Sequence, residues 1–255
     1  MEHTTKGLLA SDVRVVCSGR DLSKSFGSTN VLDNFNIDIE EGKFTLINGE
    51  SGSGKTTLLM LLSGLDVPTS GTIVSAGEVV TGMGKDDLAI WRRRVGFVMQ
   101  KPNLLPNFSA LENLCLVHGL AGNSIEVRRA REILGSLNIK DQSKPVATLS
   151  GGEQQRVAIA RAAVKNPDVI FADEPTASLD SATKSLVSAA LARVVDELNI
   201  SVVVVSHDEL VKRDAHRIVT LASGMITDDV HKESGTEPSG RVIVLDEPQV
   251  VKRLV

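Results

Sequence analysis

Tyrosine is absent from the 255 residues, tryptophan occurs once (Trp91), and all aromatics together make 3% of the chain. So few rings argue against a base-stacking platform for nucleic acid. Cysteine is nearly as scarce: Cys17 and Cys115 lie far apart, with no CxxC and no His-rich partner run. That argues against a disulfide scaffold or a zinc site and leaves two ordinary thiols of a reducing compartment. Long apolar runs are missing too. The densest, Leu58–Leu62 and Val202–Val205, fall well short of the ~18 apolar residues that mark a membrane span. No apolar stretch follows Met1-Glu2-His3-Thr4-Thr5-Lys6, so no secretory signal is expected. A cytoplasmic chain is expected, whose membrane role, if any, passes through a partner. Excess charge of one sign is lacking as well. Lys+Arg number 28 and Asp+Glu 32, a net −4, so no nucleic-acid partner is expected.

What is present is an ordinary globular composition, 42% hydrophobic and 24% charged. The length suits one large domain or two small ones, at roughly 100–200 residues each. Short apolar runs alternate with longer helical patterns, the mark of an α/β protein with a mainly parallel sheet. Lys43–Asn48, Val95–Met99, Val169–Ala172 and Ser201–Val205 read as its strands, with Thr56–Leu62, Gly152–Val164 and Ser181–Leu198 as helices. Ser109-Ala110-Leu111-Glu112 fits a capping box opening a helix to about Val117. The charged stretch Ser124–Leu137 reads as helical, part of a helical subdomain inserted at about 101–150. Val13–Cys17, Asp21–Phe26, Phe35–Glu40 and Thr72–Ser75 alternate as short strands of a small antiparallel β layer. Thr227–Arg241 reads as a polar linker before a short apolar tail, Val242–Leu245. The expected division is a domain over 1–228 and a linker and tail over 229–255.

The chemistry is concentrated at Gly49-Glu50-Ser51-Gly52-Ser53-Gly54-Lys55-Thr56, which matches GxxxxGK[ST] between a strand and a helix. This P-loop places the chain among P-loop NTPase cores. Gly49, Gly52 and Gly54 let backbone N–H groups curl around phosphate oxygens, and the helix that follows presents its positive end. Lys55 would reach the β- and γ-phosphates, and Thr56 would ligate Mg²⁺. Glu50, Ser51, Ser53 and Thr57 complete the stretch expected to touch the nucleotide. The strand Val169–Ala172 ends in Asp173-Glu174. Asp173 would support Mg²⁺, and Glu174 would polarise the attacking water. Taken alone, two acids at a strand end are more often a polar loop or cap. Val242-Ile243-Val244-Leu245-Asp246-Glu247-Pro248 repeats this pattern but follows a polar stretch with no further αβ unit to hold it. It is not expected to be the metal site.

Leu149-Ser150-Gly151-Gly152-Glu153-Gln154-Gln155, upstream of the Asp173-Glu174 strand, resembles the signature of ABC-type ATPases. With the P-loop the combination is specific, and the resemblance covers roughly residues 13–225. It implies further roles. Gln100 matches the Q-loop glutamine, which contacts Mg²⁺ and the attacking water. Ser178-Leu179-Asp180 resembles the D-loop. His207 matches the switch histidine that contacts the γ-phosphate. Phe26 falls where the family stacks an aromatic, commonly Tyr, on adenine. The resemblance also implies a head-to-tail dimer with a second ATPase subunit, in which Ser150, Gly151 and Gly152 of one copy close on ATP held by the other. An integral membrane permease is the implied partner, with the chain peripheral on the inner membrane face.

Leu65-Asp66-Val67-Pro68-Thr69-Ser70-Gly71, Asn103-Leu104-Leu105-Pro106 and Leu111-Glu112-Asn113 most resemble the macrolide-efflux, lipoprotein-releasing and cell-division branch. Bacitracin-type exporters are similar. Two alternatives stand beside this reading: a small importer ATPase and a soluble ABC ATPase acting on nucleic acid or the ribosome. A cassette that binds ATP without turnover is disfavoured, because Lys55, Glu174 and His207 are all present.

Overall fold

The computed structural model describes residues 14–120 and 127–232. The chain opens with two long strands, β1 (Val15–Phe26) and β2 (Thr29–Glu40), then β3 (Phe44–Gly49) and helix α1 (Lys55–Leu62). β4 (Ser70–Ser75), β5 (Glu78–Val79), α2 (Lys85–Trp91) and β6 (Val95–Val98) follow. Next come α3 (Ala110–Leu120), α4 (Val127–Ser136) and α5 (Gly151–Ala163). The last part runs β7 (Val169–Asp173), α6 (Ser181–Leu198), β8 (Ser201–Val205), α7 (Glu209–Asp214), β9 (Arg217–Ala222) and β10 (Met225–His231). Among the described residues no helix is long and apolar enough to cross a membrane.

Two sheets result. The larger is ordered β10-β9-β3-β8-β7-β6, and the smaller is antiparallel, ordered β2-β1-β4-β5. Every neighbouring pair of the larger sheet is parallel except β10 with β9. Its central strands read as unbroken apolar runs because both faces are covered. Alternate residues divide between two cores: Ile170, Ala172, Val202 and Val204 face one, Val169, Phe171, Val203 and Val205 the other. Helices α3 to α7 fill the first core; α1 and the antiparallel sheet fill the second. The expected parallel sheet, antiparallel layer and helical insertion are all present. The insertion shares its core with the rest: Leu114, Ile133, Leu134 and Val146 join the cluster of α5 and α6.

Three expectations shift. Val13–Cys17 and Asp21–Phe26 are not separate strands but parts of β1, which runs through with register shifts between Gly19 and Leu22. Asp21 takes a positive φ of 50°, and Gly71 of the neighbouring β4 lies so close that a Cβ there would overlap the Asp21 carbonyl. A bulge breaks the alternation without ending the strand. Second, the polar stretch from Thr227 is not a linker at its start, because β10 continues to His231. The domain boundary expected at 228 therefore falls inside a strand. Its acids suit a solvent-facing edge, and Asp229 pairs with Arg217 of β9 at 2.7 Å. Third, the helix expected to close near Val117 continues to Leu120. Ser124–Glu126, where the next helix was expected to begin, and Val242–Leu245 lie outside the described residues.

Candidate nucleotide site

The parallel strands end together at one rim, and most of the residues named from the sequence lie along it. β3 closes at Gly49, whose φ is 144°. A Cβ at Gly49 would run into the Leu221 carbonyl of β9, so only glycine lets the loop leave the sheet here. Lys55 opens α1 and folds back, donating to the carbonyls of Gly49 at 2.8 Å and Glu50 at 2.6 Å. The ammonium is thus anchored at the base of the loop. α1 has no acidic residue in its first turn, so its positive end is left for an anion.

Opposite the loop stands the end of β7. Thr56 Oγ1 donates to Asp173 Oδ1 at 3.1 Å, which joins two of the three expected metal ligands. Burial pushes the Asp173 carboxyl above the ordinary carboxylate range, and the neighbouring Glu174 adds to the rise; the Thr56 hydrogen bond and Lys55 oppose it. A bound cation would reverse that shift. Glu174 takes a positive φ of 44° and donates its backbone N–H to the Val205 carbonyl of β8 at 2.9 Å. Its Oε1 lies 3.0 Å from His207 Nδ1, while its Oε2 is buried without a hydrogen-bond partner. Buried carboxylate oxygens are rarely left so. The buried Ser53 Oγ is in the same condition.

A cleft of about 760 Å³ runs between these groups, inside the ~300–1,000 Å³ range of small-molecule sites. Phe26, Gly49, Glu50, Ser51, Gly52, Gly54, Lys55, Thr56, Thr57, Glu174 and His207 all line it. Val31 does too; its apolar side chain carried no signal in the sequence. Phe26 is about half exposed, and Lys24 Nζ sits 5.0 Å from its ring centre.

Six expected residues stand outside the cleft wall: Ser53 and Asp173, described above, and Gln100, Ser150, Gly151 and Gly152. Gln100 is exposed just past β6, whose pairing of Val98 with Ala172 sets it beside the strand end bearing Asp173. Gln155 holds that segment, its Nε2 donating to the Met99 carbonyl at 3.0 Å, a contact across 56 residues that no local pattern signals. Ser150, Gly151 and Gly152 open α5. Ser150 Oγ accepts from the Glu153 N–H and its own N–H donates to the Glu153 carboxylate, a complete capping box. Gly152 is buried for a packing reason: a Cβ there would overlap Thr183 Cγ2 of α6.

The ABC transporter family model matches residues 32–177, more than half the chain. The chain belongs to the ABC transporter ATPases. It is 41% identical over 217 residues to the lipoprotein-releasing system ATP-binding protein LolD of Porphyromonas gingivalis, a match over 83% of this chain and 99% of that protein. It is 40% identical over 223 residues to the macrolide export ATP-binding/permease protein MacB of Campylobacter jejuni, covering 86% of this chain and 34% of that one. A dimeric structure of MJ0796, described as a bacterial ABC transporter cassette, matches with a TM-score of 0.75 at 36% identity, over 84% of this chain and 98% of that one. The same cassette is also known as a post-hydrolysis dimer with ADP and Pi (TM-score 0.74). This ABC chain is an ATP-binding, ATP-hydrolysing transporter subunit.

Proposed function

We propose that this ATPase drives a membrane permease carried on a separate chain, in export or in mechanical work on the permease. The LolD relatives are ATP-binding proteins of nearly this length, whereas in MacB the matching part is about a third of a longer ATP-binding/permease protein. The permease would dock where Leu65, Met99, Leu105 and Phe108 lie exposed. The chain is then peripheral on the inner membrane face, with a second copy as its dimer partner.

The observation that carries the site assignment is the convergence of Thr56, Asp173, Glu174 and His207 on the P-loop cleft. Lys55 and the loop N–H groups bind the β- and γ-phosphates, and the adenine stacks on the face of Phe26 that Lys24 leaves free. Thr56, Asp173 and Gln100 would hold Mg²⁺, whose charge neutralises the phosphate oxygens when bound. Glu174 is the general base, its carboxylate taking a proton from the attacking water. His207 holds Oε1 in place and faces the γ-phosphate. Ser150, Gly151 and Gly152 act on the partner's ATP from an α5 N-terminus that lies outside their own cleft.

The test is a tagged Glu174→Gln chain, which binds ATP without turnover, pulled from detergent-solubilised membranes with Mg-ATP. A copurifying permease with few membrane helices and a large extracytoplasmic domain is expected. A many-helix permease with a solute-binding protein would turn the reading to import. No membrane partner would end it.

A further inference from the structure

His207 is the least supported group of the site. Its side chain is 73% exposed, and its one polar partner among the described residues is Glu174 Oε1 at 3.0 Å. A ring with so little packed around it is aimed by its backbone. That backbone is fixed from the next residue. Asp208 caps α7, its Oδ1 accepting from the Leu210 N–H at 2.9 Å, and its own N–H donates to Ser206 Oγ at 3.1 Å. The second oxygen, Oδ2, is buried and faces Lys184 Nζ at 2.9 Å, a close ion pair not aligned as a straight hydrogen bond. The Asp208 side chain is 8% exposed and that of Lys184 30%. Against the effect of burial, Lys184, the Leu210 N–H and Thr176 hold the carboxyl below the ordinary carboxylate range.

Lys184 belongs to the first turn of α6, where it is tied to the segment expected to face the dimer partner. Its N–H donates to the Asp180 carbonyl at 2.9 Å, and the Asp180 carboxylate accepts from the Thr183 N–H and hydroxyl at 3.0 and 2.6 Å. Thr183 in turn fills the space that Gly152 leaves open at the start of α5.

We propose that Lys184 is a positioning residue for ATP hydrolysis: by pairing with Asp208 it fixes the backbone that aims His207 at Glu174, and it ties that aim to the α5 and α6 ends that meet the partner subunit. The inference rests on the proposed roles of Glu174 and His207. Removal of the ammonium leaves a buried carboxylate oxygen without its charge partner, so Asp208 shifts toward water and takes His207 with it. A purely structural lysine would change stability and nothing else.

Lys184→Met is compared with Lys184→Arg in steady-state ATPase, nucleotide binding and thermal melts of the purified chain. The Met variant is expected to lose about 10–100-fold in kcat, the scale of a misplaced catalytic group, with KM and nucleotide Kd almost unmoved. The Arg variant keeps the charge and recovers most of the rate. The imidazole nitrogen resonance of His207, assigned by its loss in His207→Ala, moves in the Met variant and returns in the Arg variant. Lys184→Met/Asp208→Asn leaves no unpaired buried charge, so it melts no lower than the single variant, and it keeps the low kcat. An unchanged kcat, an unmoved His207 resonance, or full activity in the double variant would each overturn the proposal. Glu174→Gln and His207→Ala run alongside. If either keeps full turnover, the site assignment itself fails; if both lose turnover while Lys184→Met keeps it, only the positioning role fails.

Discussion

Glu174, the proposed base, stands just past β7: Oε1 is engaged by His207, and Oε2 is buried without a hydrogen-bond partner. Lys55 differs in kind: its ammonium rests on two loop carbonyls, ready to exchange them for phosphate oxygens. On the proposed roles, the two residues separate binding from chemistry. Glu174→Gln should keep nucleotide affinity while kcat falls about 10²–10⁴-fold, the usual worth of a general base. Lys55→Ala should instead weaken nucleotide binding about 10–100-fold, the worth of lost charge-assisted hydrogen bonds. Equilibrium binding and single-turnover hydrolysis on both variants check this. Equal affinity loss in the two would show that the assigned roles are wrong.

At the scale of elements, two contacts make quantitative claims. The first turns of α5 and α6 approach so closely that Gly152→Ala overpacks against Thr183 Cγ2, at a cost of about 1–3 kcal/mol. Thr183→Ser removes that methyl but keeps the hydroxyl that bonds Asp180, so the double variant should regain the lost denaturant midpoint. Failure to regain it would put the strain elsewhere. The second contact starts β3: the Phe44 N–H donates to His216 Nδ1 at 2.9 Å, which only a neutral ring can accept. Burial, with Lys43 and Lys232 nearby, lowers the His216 pKa below its ordinary 6.5, against a smaller opposing effect of Asp196. The unfolded chain then takes up a proton that the folded chain refuses, so stability falls as pH drops through 6.5 and is unaffected well above it. His216→Asn keeps an acceptor that does not titrate. Its melting temperature should fall less between pH 7.5 and 5.5 than that of the parent chain; parallel pH curves would reject the assignment.

For the whole molecule, the decisive fact is that Ser150, Gly151 and Gly152 lie outside the cleft that holds Lys55 and Glu174. In the proposed head-to-tail pair they would reach the partner's nucleotide, and damage to them would act in trans. Ser150→Arg should bind ATP as a monomer yet fail to hydrolyse it. Mixed with Glu174→Gln, it should regain activity, because one site of the mixed dimer then has an intact signature from one chain and an intact base from the other. Hydrolysis by the mixture no greater than the sum of the two variants would rule out a shared site.

Local pattern was enough for much of this. Gly49–Thr56 announces its own loop, because glycine spacing and the following helix are consecutive in the chain. The apolar runs Val169–Ala172 and Val202–Val205 declare strands buried on both faces, and Ser109 declares a helix start through the glutamate three residues on. What lies far apart in sequence had to wait for the fold. Alternation could not distinguish the bulge at Asp21 from a strand end, since a bulge flips the side-chain phase just as a new strand does. Composition could not separate β10 from a linker, because an edge strand facing water is as polar as one. The order β3-β8-β7 decided that Thr56 meets Asp173 and His207 meets Glu174, and helix packing decided that Lys184 meets Asp208. Hydrogen-bond pairing and the burial of both sheet faces fix those distances, and neither exists until the strands have assembled.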